Sequence, residues 1–380
     1  MNILLDALPL NRITTGVSRY VRNLYLELEK LSGVNVNYFS GRSCDTTMPL
    51  EIEASHWIKK TAKTRSLPAP ALFGLHSVGW MSYERRLRRY AKFNEFDVYH
   101  ETGHIPAAIK GVPQIFTIYD LSLMKYRETH PRARVWFSDV FFNRRMKYAT
   151  HIITISEFVR SEICDELHID REEVTSIPLA PCPFFFPREK EQAGAVIESM
   201  GLPKEYILFV GTLEPRKNLS LLFKALSVCE HDIPIVLSGW KGWGDHMEFK
   251  PNRTNRFQNR IFTTGHVNEE ALACLYSSAL ALVFPSIYEG FGLPVIEAMA
   301  CGCPVICSNA ASLPEVAGDA ALLIDPFRKE DLAEAMDRVA GDKALREDLA
   351  RKGLSRAAGF SWEETARQTL EVFRSVTGQS

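Results

Sequence analysis

Two glutamates, Glu289 and Glu297, stand with seven residues between them in the segment YEGFGLPVIEA, and Gly290, Gly292 and Pro294 fall inside that interval. The preceding run ALALVFPS, residues 279–286, is continuously apolar and reads as a buried parallel strand reaching its carboxyl end. A glycine loop follows, and Pro294 suits the first turn of a helix, where its missing N–H would have no partner anyway. In open parallel sheets ligands collect outside the carboxyl ends of strands, and a helix N-terminus offers N–H groups and partial positive charge to a phosphate. A carboxylate beside a phosphate would be repelled. Glu289 and Glu297 are therefore better suited to hydroxyls, accepting bonds from a ribose diol or a sugar from different sides of one bound molecule.

A second segment, YILFVGTLEPRKNLSLLF, repeats the plan of strand, glycine loop and helix. Gly211 and Thr212 open the loop, and Arg216 and Lys217 stand just before a helix that the pattern starts near Asn218. Arginine forks onto phosphate oxygens and lysine adds a point charge. As plain solvated residues these cations would sit at the unfavourable end of a helix dipole, unless an anion lies between them and it. That favours phosphate binding. The chain contains no Asp-x-Asp, a pattern that holds a divalent ion under a diphosphate, so the expectation is a site that uses neither metal nor cofactor.

The rest of the chain must position these groups. At 380 residues it is long for one core, and two domains with a cleft between them are expected. With 45 basic and 46 acidic residues it is nearly neutral, which leaves no electrostatic case for nucleic acid. The N-terminal MNILLDALPL lacks the basic and small-residue flanks of a secretion signal, and no apolar run approaches the roughly 20 residues that span a bilayer. A cytoplasmic protein, at most resting on the inner face of the membrane, is expected. The eight cysteines show no paired Cys-x-x-Cys spacing and read as small core residues of a reducing compartment rather than a zinc site.

Short β-branched runs alternate with amphipathic stretches, which predicts an α/β protein with parallel sheets. The strand candidates are NILLD, VNVNYF, DVYH, QIFTIYD and HIITIS in the first half, then YILFVG, IPIVLSG, RIFTTG, ALALVFPS, PVICS and AALLID in the second. Between them the proline-rich IPLAPCPFFFPREKE marks a linker near residues 178–190, giving domains of about 1–180 and 190–360. Helical patterns follow at about 329–341, 343–358 and 361–377.

The segments GTLEPRKNL, TGHVNEEALACLYSSALALVFPSIYEGFGLPVIEAMACGCPVICS and SLPEVAGDAALLIDP, with a weaker TTGVSRYVRNLYLEL near the start, resemble retaining glycosyltransferase family 4. The resemblance covers nearly the whole chain, and within the family it is strongest to bacterial mannosyltransferases that build lipopolysaccharide O-antigens from GDP-mannose. It implies the GT-B architecture: two Rossmann-like domains whose sheets face across a cleft, the first binding a glycan acceptor and the second a nucleotide-sugar, with the C-terminal helix packed back on the first. Arg216 and Lys217 would then grip the diphosphate and Glu297 the ribose. Glu289 would lie near the transferred sugar, with the backbone of Gly290, Phe291, Gly292 and Leu293 closing over it. His266 and Val267 would lie beside the base, and Gly16 and Val17 would approach the phosphates from the other domain.

One departure from the family is visible. Many members carry a His-Asp pair at the end of an N-terminal strand, where this chain has Tyr119 and Asp120. Tyrosine can donate a hydrogen bond but takes no proton near neutral pH. Asp120 and Glu289 both remain candidates for orienting the acceptor while the leaving phosphate takes the proton. His100, His104 and His130 read as packed or exposed rather than catalytic. The segment GWMSYERRLRRYAKF, residues 79–93, mixes Trp80, Met81 and Tyr90 with Arg85, Arg86, Arg88, Arg89 and Lys92, and reads equally as a solvated face or as a surface for an anionic membrane. A UDP-sugar donor, a sugar-nucleotide epimerase and a non-catalytic nucleotide-sugar sensor stay open as alternatives.

Overall fold

The computed structural model describes residues 1–11, 15–50, 67–103, 105–240, 242 and 260–378. These form two compact units, one of residues 1–179 with 362–380 and the other of residues 180–361. The chain passes between them in the proline-rich stretch, where residues 177–189 form neither helix nor strand.

In the first unit, β1 (Asn2–Asp6), β2 (Asn35–Phe39), β3 (Cys44–Asp45), β4 (Val98–Glu101), β5 (Gln114–Ile118), β6 (His151–Thr154) and β7 (Val174–Ser176) make a sheet of order β3-β2-β1-β4-β5-β6-β7. All pairings are parallel except that of β2 with β3. Its central strands are buried almost throughout, which is why NILLD and QIFTI read as unbroken apolar runs. Helix α1 (Gly16–Leu28) starts at a capping box in which Thr15 and Ser18 satisfy each other's backbone N–H groups. Helix α2 (Ala69–Lys92) and helix α4 (Arg132–Met146), which follows the short α3 (Ser122–Lys125), meet through Trp80, whose ring centroid lies 5.0 Å from that of Phe141. Helix α5 (Glu157–Leu167) is N-capped by Ser156. The C-terminal helix α13 (Trp362–Thr377) belongs to this unit. Its Trp362 and Phe373 rings lie 6.3 and 5.3 Å from Tyr20 and His100, and Thr365 Oγ1 donates to the Pro178 carbonyl at 2.8 Å.

The second unit begins with α6 (Lys190–Ser199) and contains β8 (Ile207–Val210), α7 (Leu219–Leu226), β9 (Ile235–Ser238), β10 (Ile261–Gly265), α8 (Glu269–Ser278), β11 (Ala281–Phe284), α9 (Leu293–Ala300), β12 (Val305–Ser308), α10 (Leu313–Ala317), β13 (Leu322–Ile324), α11 (Lys329–Gly341) and α12 (Lys343–Ala357). Its sheet is entirely parallel, of order β10-β9-β8-β11-β12-β13. In both sheets the strand order reverses next to the first strand, between β1 and β4 and between β8 and β11. The parallel α/β reading holds, with the antiparallel β3 and the three-residue β7 as elements the sequence pattern did not indicate.

Candidate active site

The reversal between β8 and β11 places two loops side by side at the carboxyl ends of the strands, where doubly wound folds bind ligands. One runs from Gly211 to Asn218, the other from Pro285 to Gly292, so the two sequence motifs meet although about seventy residues separate them. The first loop is bonded to its neighbours by backbone pairs that extend the sheet: Gly211 N donates to Ser238 O and Leu213 N to Trp240 O, both at 2.9 Å, while Gly239 N donates to Gly265 O at 2.8 Å. A Cβ on Gly239 would lie 2.0 Å from the Gly211 carbonyl oxygen, so only glycine permits this approach.

Residues 215–217 form a single tight turn before α7, and it delivers both cations to the second loop. Lys217 Nζ donates to Glu289 Oε1 at 2.6 Å, and lies 4.8 Å from the centre of the Phe284 ring. Arg216 Nη1 donates to the Tyr288 carbonyl at 2.7 Å and to Glu289 Oε2 at 3.1 Å, while Nη2 donates to Glu214 Oε1 at 2.6 Å. Glu214, Lys217 and Glu289 are all buried. Burial by itself would raise the Glu289 pKa, but the charges of Lys217 and Arg216 outweigh it and hold the carboxyl below its ordinary range. The sequence argument required an anion beside these cations, and the structure supplies two from the chain itself, Glu289 and Glu214. Glu289 is thus bonded to both cations, Arg216 through Oε2 and Lys217 through Oε1. It is their counter-ion.

Glu297 lies in α9 and is buried, with Oε2 accepting from the Tyr276 hydroxyl at 3.1 Å. This bond links α8 to α9. Gly290, Phe291 and Gly292 are buried and Leu293 partly so. Gly292 has φ 104°, and a Cβ there would meet Leu313 Cδ2 at 2.5 Å, which explains the glycine by packing. The Ser312 hydroxyl contacts the carbonyl oxygens of both Glu289 and Phe291, at 2.9 and 3.0 Å, and so fixes this loop from α10. Gly211 and Thr212 lie partly buried at the opening of the first loop. His266 is exposed after β10, with Val267 beside it, and its ring stacks on Trp240 at 4.3 Å and 16°.

Four residues of this site were given no contact by the sequence reading: Glu214 and Asn218 within the second motif, and Trp240 and Ser312 outside both. Asn218 adopts φ 58° and its buried amide donates to the carbonyls of Pro285 at 3.2 Å and Pro326 at 2.7 Å, joining the loops after β8, β11 and β13. The left-handed conformation was readable in principle, since asparagine is the side chain that best tolerates it. The partners were not.

The remaining candidates lie in the first unit. Gly16 is exposed and Val17 partly buried in the first turn of α1. Asp120 Oδ1 accepts from Ser122 N at 2.9 Å and so caps the turn that follows it. Tyr119 donates to the Thr102 carbonyl at 3.1 Å, and burial pushes its hydroxyl far above its usual range, leaving it a permanent hydrogen-bond donor. His100 is fully buried, its ring nitrogens each 2.7 Å from a hydroxyl, those of Tyr25 and Thr117. His130 is partly buried against Ser122, at 3.0 Å, and His104 lies outside the described residues. No cluster of three metal-ligating side chains occurs among the described residues. All eight cysteines are free, four of them buried.

A family model described as glycosyl transferases group 1 matches residues 197–356, and one described as Glycosyltransferase Family 4 matches residues 14–180. The O-antigen chain mannosyltransferase B of Escherichia coli is 30% identical over 390 residues, covering 98% of this chain and all of that protein. The chain belongs to glycosyltransferase family 4. Another relative, the MMP alpha-(1->4)-mannosyltransferase of Mycolicibacterium hassiacum, is 26% identical over 415 residues, covering 94% of each chain. Among solved structures, the sucrose-phosphate synthase of Thermosynechococcus elongatus superposes with a TM-score of 0.77 at 22% identity over the full length of both chains. The lipopolysaccharide glycosyltransferase WaaG gives 0.70 at 13% identity over 98% of this chain and 99% of that one. At such identities these structures speak for the fold alone, which is GT-B. As a family 4 member the chain is a glycosyltransferase.

Proposed function

We propose that this glycosyltransferase moves a mannosyl residue from GDP-mannose, with retention at the sugar carbon, to a glycan or lipid-linked saccharide in the synthesis of a cell-surface polysaccharide. The observation that supports a nucleotide-sugar site most strongly is the meeting of Arg216, Lys217 and Glu289 at the strand reversal of the second unit. Cations fixed before binding lose little energy to reorganisation as the diphosphate departs, and such electrostatic preorganisation is commonly the largest single contribution to catalysis. In this reading the second unit takes the donor, with Gly211, Thr212 and the Gly290–Leu293 backbone around the phosphates and sugar, His266, Val267 and Trp240 toward the base, and Glu297 toward the ribose. The first unit takes the acceptor, with Asp120 orienting its hydroxyl and Gly16 and Val17 near the phosphates. The leaving phosphate accepts the acceptor's proton, and no metal takes part.

Mannose rests on the relatives, two of those named above being mannosyltransferases, and guanine on the resemblance of the sequence to GDP-mannose enzymes. The deciding experiment measures GDP released from GDP-mannose with and without a saccharide acceptor, in the presence of EDTA. Release that depends on the acceptor and survives EDTA supports the proposal. Release without acceptor points to a hydrolase or epimerase, and silence with GDP-mannose but turnover with a UDP-sugar replaces the donor. A thermal-shift series with GDP, UDP and ADP ranks the bases independently, because a ligand that binds only folded protein raises its melting point.

The proposal extends to the membrane surface through α2. The described helix carries exposed Leu75, Val78 and Met81 up to its middle and exposed Arg85, Arg88, Arg89 and Lys92 beyond it. Spacings of three, four and seven residues put them along one side of the helix. Trp80 and Tyr90, which the sequence grouped with this surface, are instead partly buried and turned inward: Arg145 lies 4.8 Å from the Trp80 ring, and Tyr90 stacks on Phe96 at 5.9 Å. Among the described residues no helix is long and apolar enough to cross a membrane.

A further inference from the structure

Glu214 has no part in the donor contacts assigned above, yet it is buried against the most highly charged point of the site. The Arg216 guanidinium is bonded by both terminal nitrogens, Nη2 to Glu214 Oε1 at 2.6 Å and Nη1 to Tyr288 O and Glu289 Oε2. A planar fork held between carboxylates at both nitrogens has one orientation. The Glu214 and Arg216 side chains are only 7% and 13% exposed, so water screens their charges weakly. Within this cluster the two cations, Arg216 and Lys217, are matched by two carboxylates, Glu214 and Glu289.

We propose that Glu214 is a positioning residue with a second effect: it fixes the Arg216 guanidinium and, through its charge, weakens the hold of the site on nucleoside diphosphate, so that the product leaves. The inference rests on reading the cluster as a nucleotide-sugar site. A diphosphate beside Arg216 shares that cation with Glu214 and is repelled by it. Binding substrate and product less tightly leaves more of the interaction for the transition state, in which charge on the leaving group is growing. Orientation and charge are separable by substitution. Glutamine keeps the oxygen that accepts from Nη2 and removes the charge, whereas alanine removes both.

The test compares the wild type, Glu214→Gln and Glu214→Ala by titration calorimetry with GDP and with guanosine, alongside kcat and KM for the donor and a thermal melt to show that each variant is folded. Glu214→Gln should bind GDP about tenfold more tightly, bind guanosine unchanged, and turn over more slowly with a lower KM. Glu214→Ala should lose affinity for GDP relative to Glu214→Gln, because the guanidinium is no longer aimed. A folded Glu214→Gln that binds GDP no more tightly than the wild type overturns the inference while leaving the site reading intact. If the wild type binds none of GDP, UDP and ADP, the site reading falls, and this inference with it.

Discussion

Lys217 and Glu289 are joined end to end, Nζ to Oε1 at 2.6 Å, in a buried contact between loops from two different βα units. The pair couples the two motifs electrostatically. Replacing Lys217 with alanine removes a preorganised cation and leaves Glu289 partly uncompensated. Activity should fall about 100- to 1,000-fold, the usual cost of losing one such group, while guanosine affinity changes little. The same change removes one of the charges that hold the Glu289 pKa down and so raises it, while Arg216 stays bonded to the carboxylate. Because an acid with a depressed native pKa stabilises the fold above its unfolded value and loses that contribution as pH falls, the wild type should hold the Glu289 contribution to more acidic pH than the variant. Steady-state kinetics with donor and nucleoside, and unfolding midpoints from pH ~4 to ~7, check both statements. Equal losses of turnover and guanosine binding would break the assignment.

Asn218 provides a prediction about stability that separates backbone from side chain. Its left-handed φ of 58° suits glycine, while its amide bonds to Pro285 and Pro326 do not survive truncation. Asn218→Gly should cost about 1–3 kcal/mol for the lost buried hydrogen bonds. Asn218→Ala adds roughly 1 kcal/mol of backbone strain. Asn218→Asp, which aims a carboxylate at two carbonyls, should be the most damaging of the three. Urea unfolding of the three variants gives the order directly, and alanine no worse than glycine would contradict it.

How much of this was legible beforehand depended on range. Strands such as ILFV and ALVF are continuous apolar runs closed by glycine or proline, and their burial on both faces is written into the chain. The two-residue β3 and three-residue β7 are too short to have a period, so pairing with a neighbour decides them. Arg216, Lys217 and Glu289 were visible as chemistry, but their direct contact was not. It spans 72 positions and makes Glu289 a counter-ion of Lys217. Ser312 and Tyr276 were invisible for the same reason, since each acts on a residue more than 20 positions away. In α2 the composition of residues 79–93 grouped Trp80 with the arginines, and only the contact with α4 showed that it belongs to an inner face.

Adjacent residues of β4 respond to pH in opposite directions. His100 is fully buried between two hydroxyls, and burial lowers its pKa from 6.5 to about 3. Glu101 is raised well above 4.5, first by burial and then by the charge of Asp6, with bonds from Tyr99 at 2.7 Å and Gly103 N at 2.9 Å opposing the shift; Tyr83, bonded to Asp6, completes the cluster. The unfolded histidine takes a proton that the native one refuses, so His100 removes stability as pH falls from 6.5 toward 3. Native Glu101 keeps a proton that the unfolded chain releases, so its contribution is lost as pH rises above 4.5. The two slopes oppose each other between 4.5 and 6.5, and the Glu101 slope, at up to about 1.4 kcal/mol per pH unit, forms an alkaline limb for as long as the native carboxyl keeps its proton. Glu101→Gln should flatten the alkaline limb and leave the acid limb in place. Urea midpoints measured across pH decide it, and an unchanged alkaline slope in the variant would refute the assignment.

The outward side of α2 tests the proposed membrane contact. Basic residues near an anionic surface contribute about 1 kcal/mol each, and apolar side chains add to that only if they enter the interface. Val78, at 63% exposed, and Leu75, at 51%, are large apolar groups left in water by the fold, directly preceding the arginines. Wild-type protein should float with phosphatidylglycerol vesicles at low ionic strength and be released by salt as the charges are screened. Arg85→Gln with Arg89→Gln should weaken binding about 30-fold. Leu75→Ser with Val78→Ser should weaken binding at low salt and lower the salt concentration at which the protein is released. These four positions are exposed and none of them belongs to the charged cluster of Glu214, Arg216, Lys217 and Glu289, so turnover on a soluble acceptor should stay near the wild-type value in each variant. Protein that remains in the soluble fraction with anionic vesicles at low salt would show that this face meets water and not lipid.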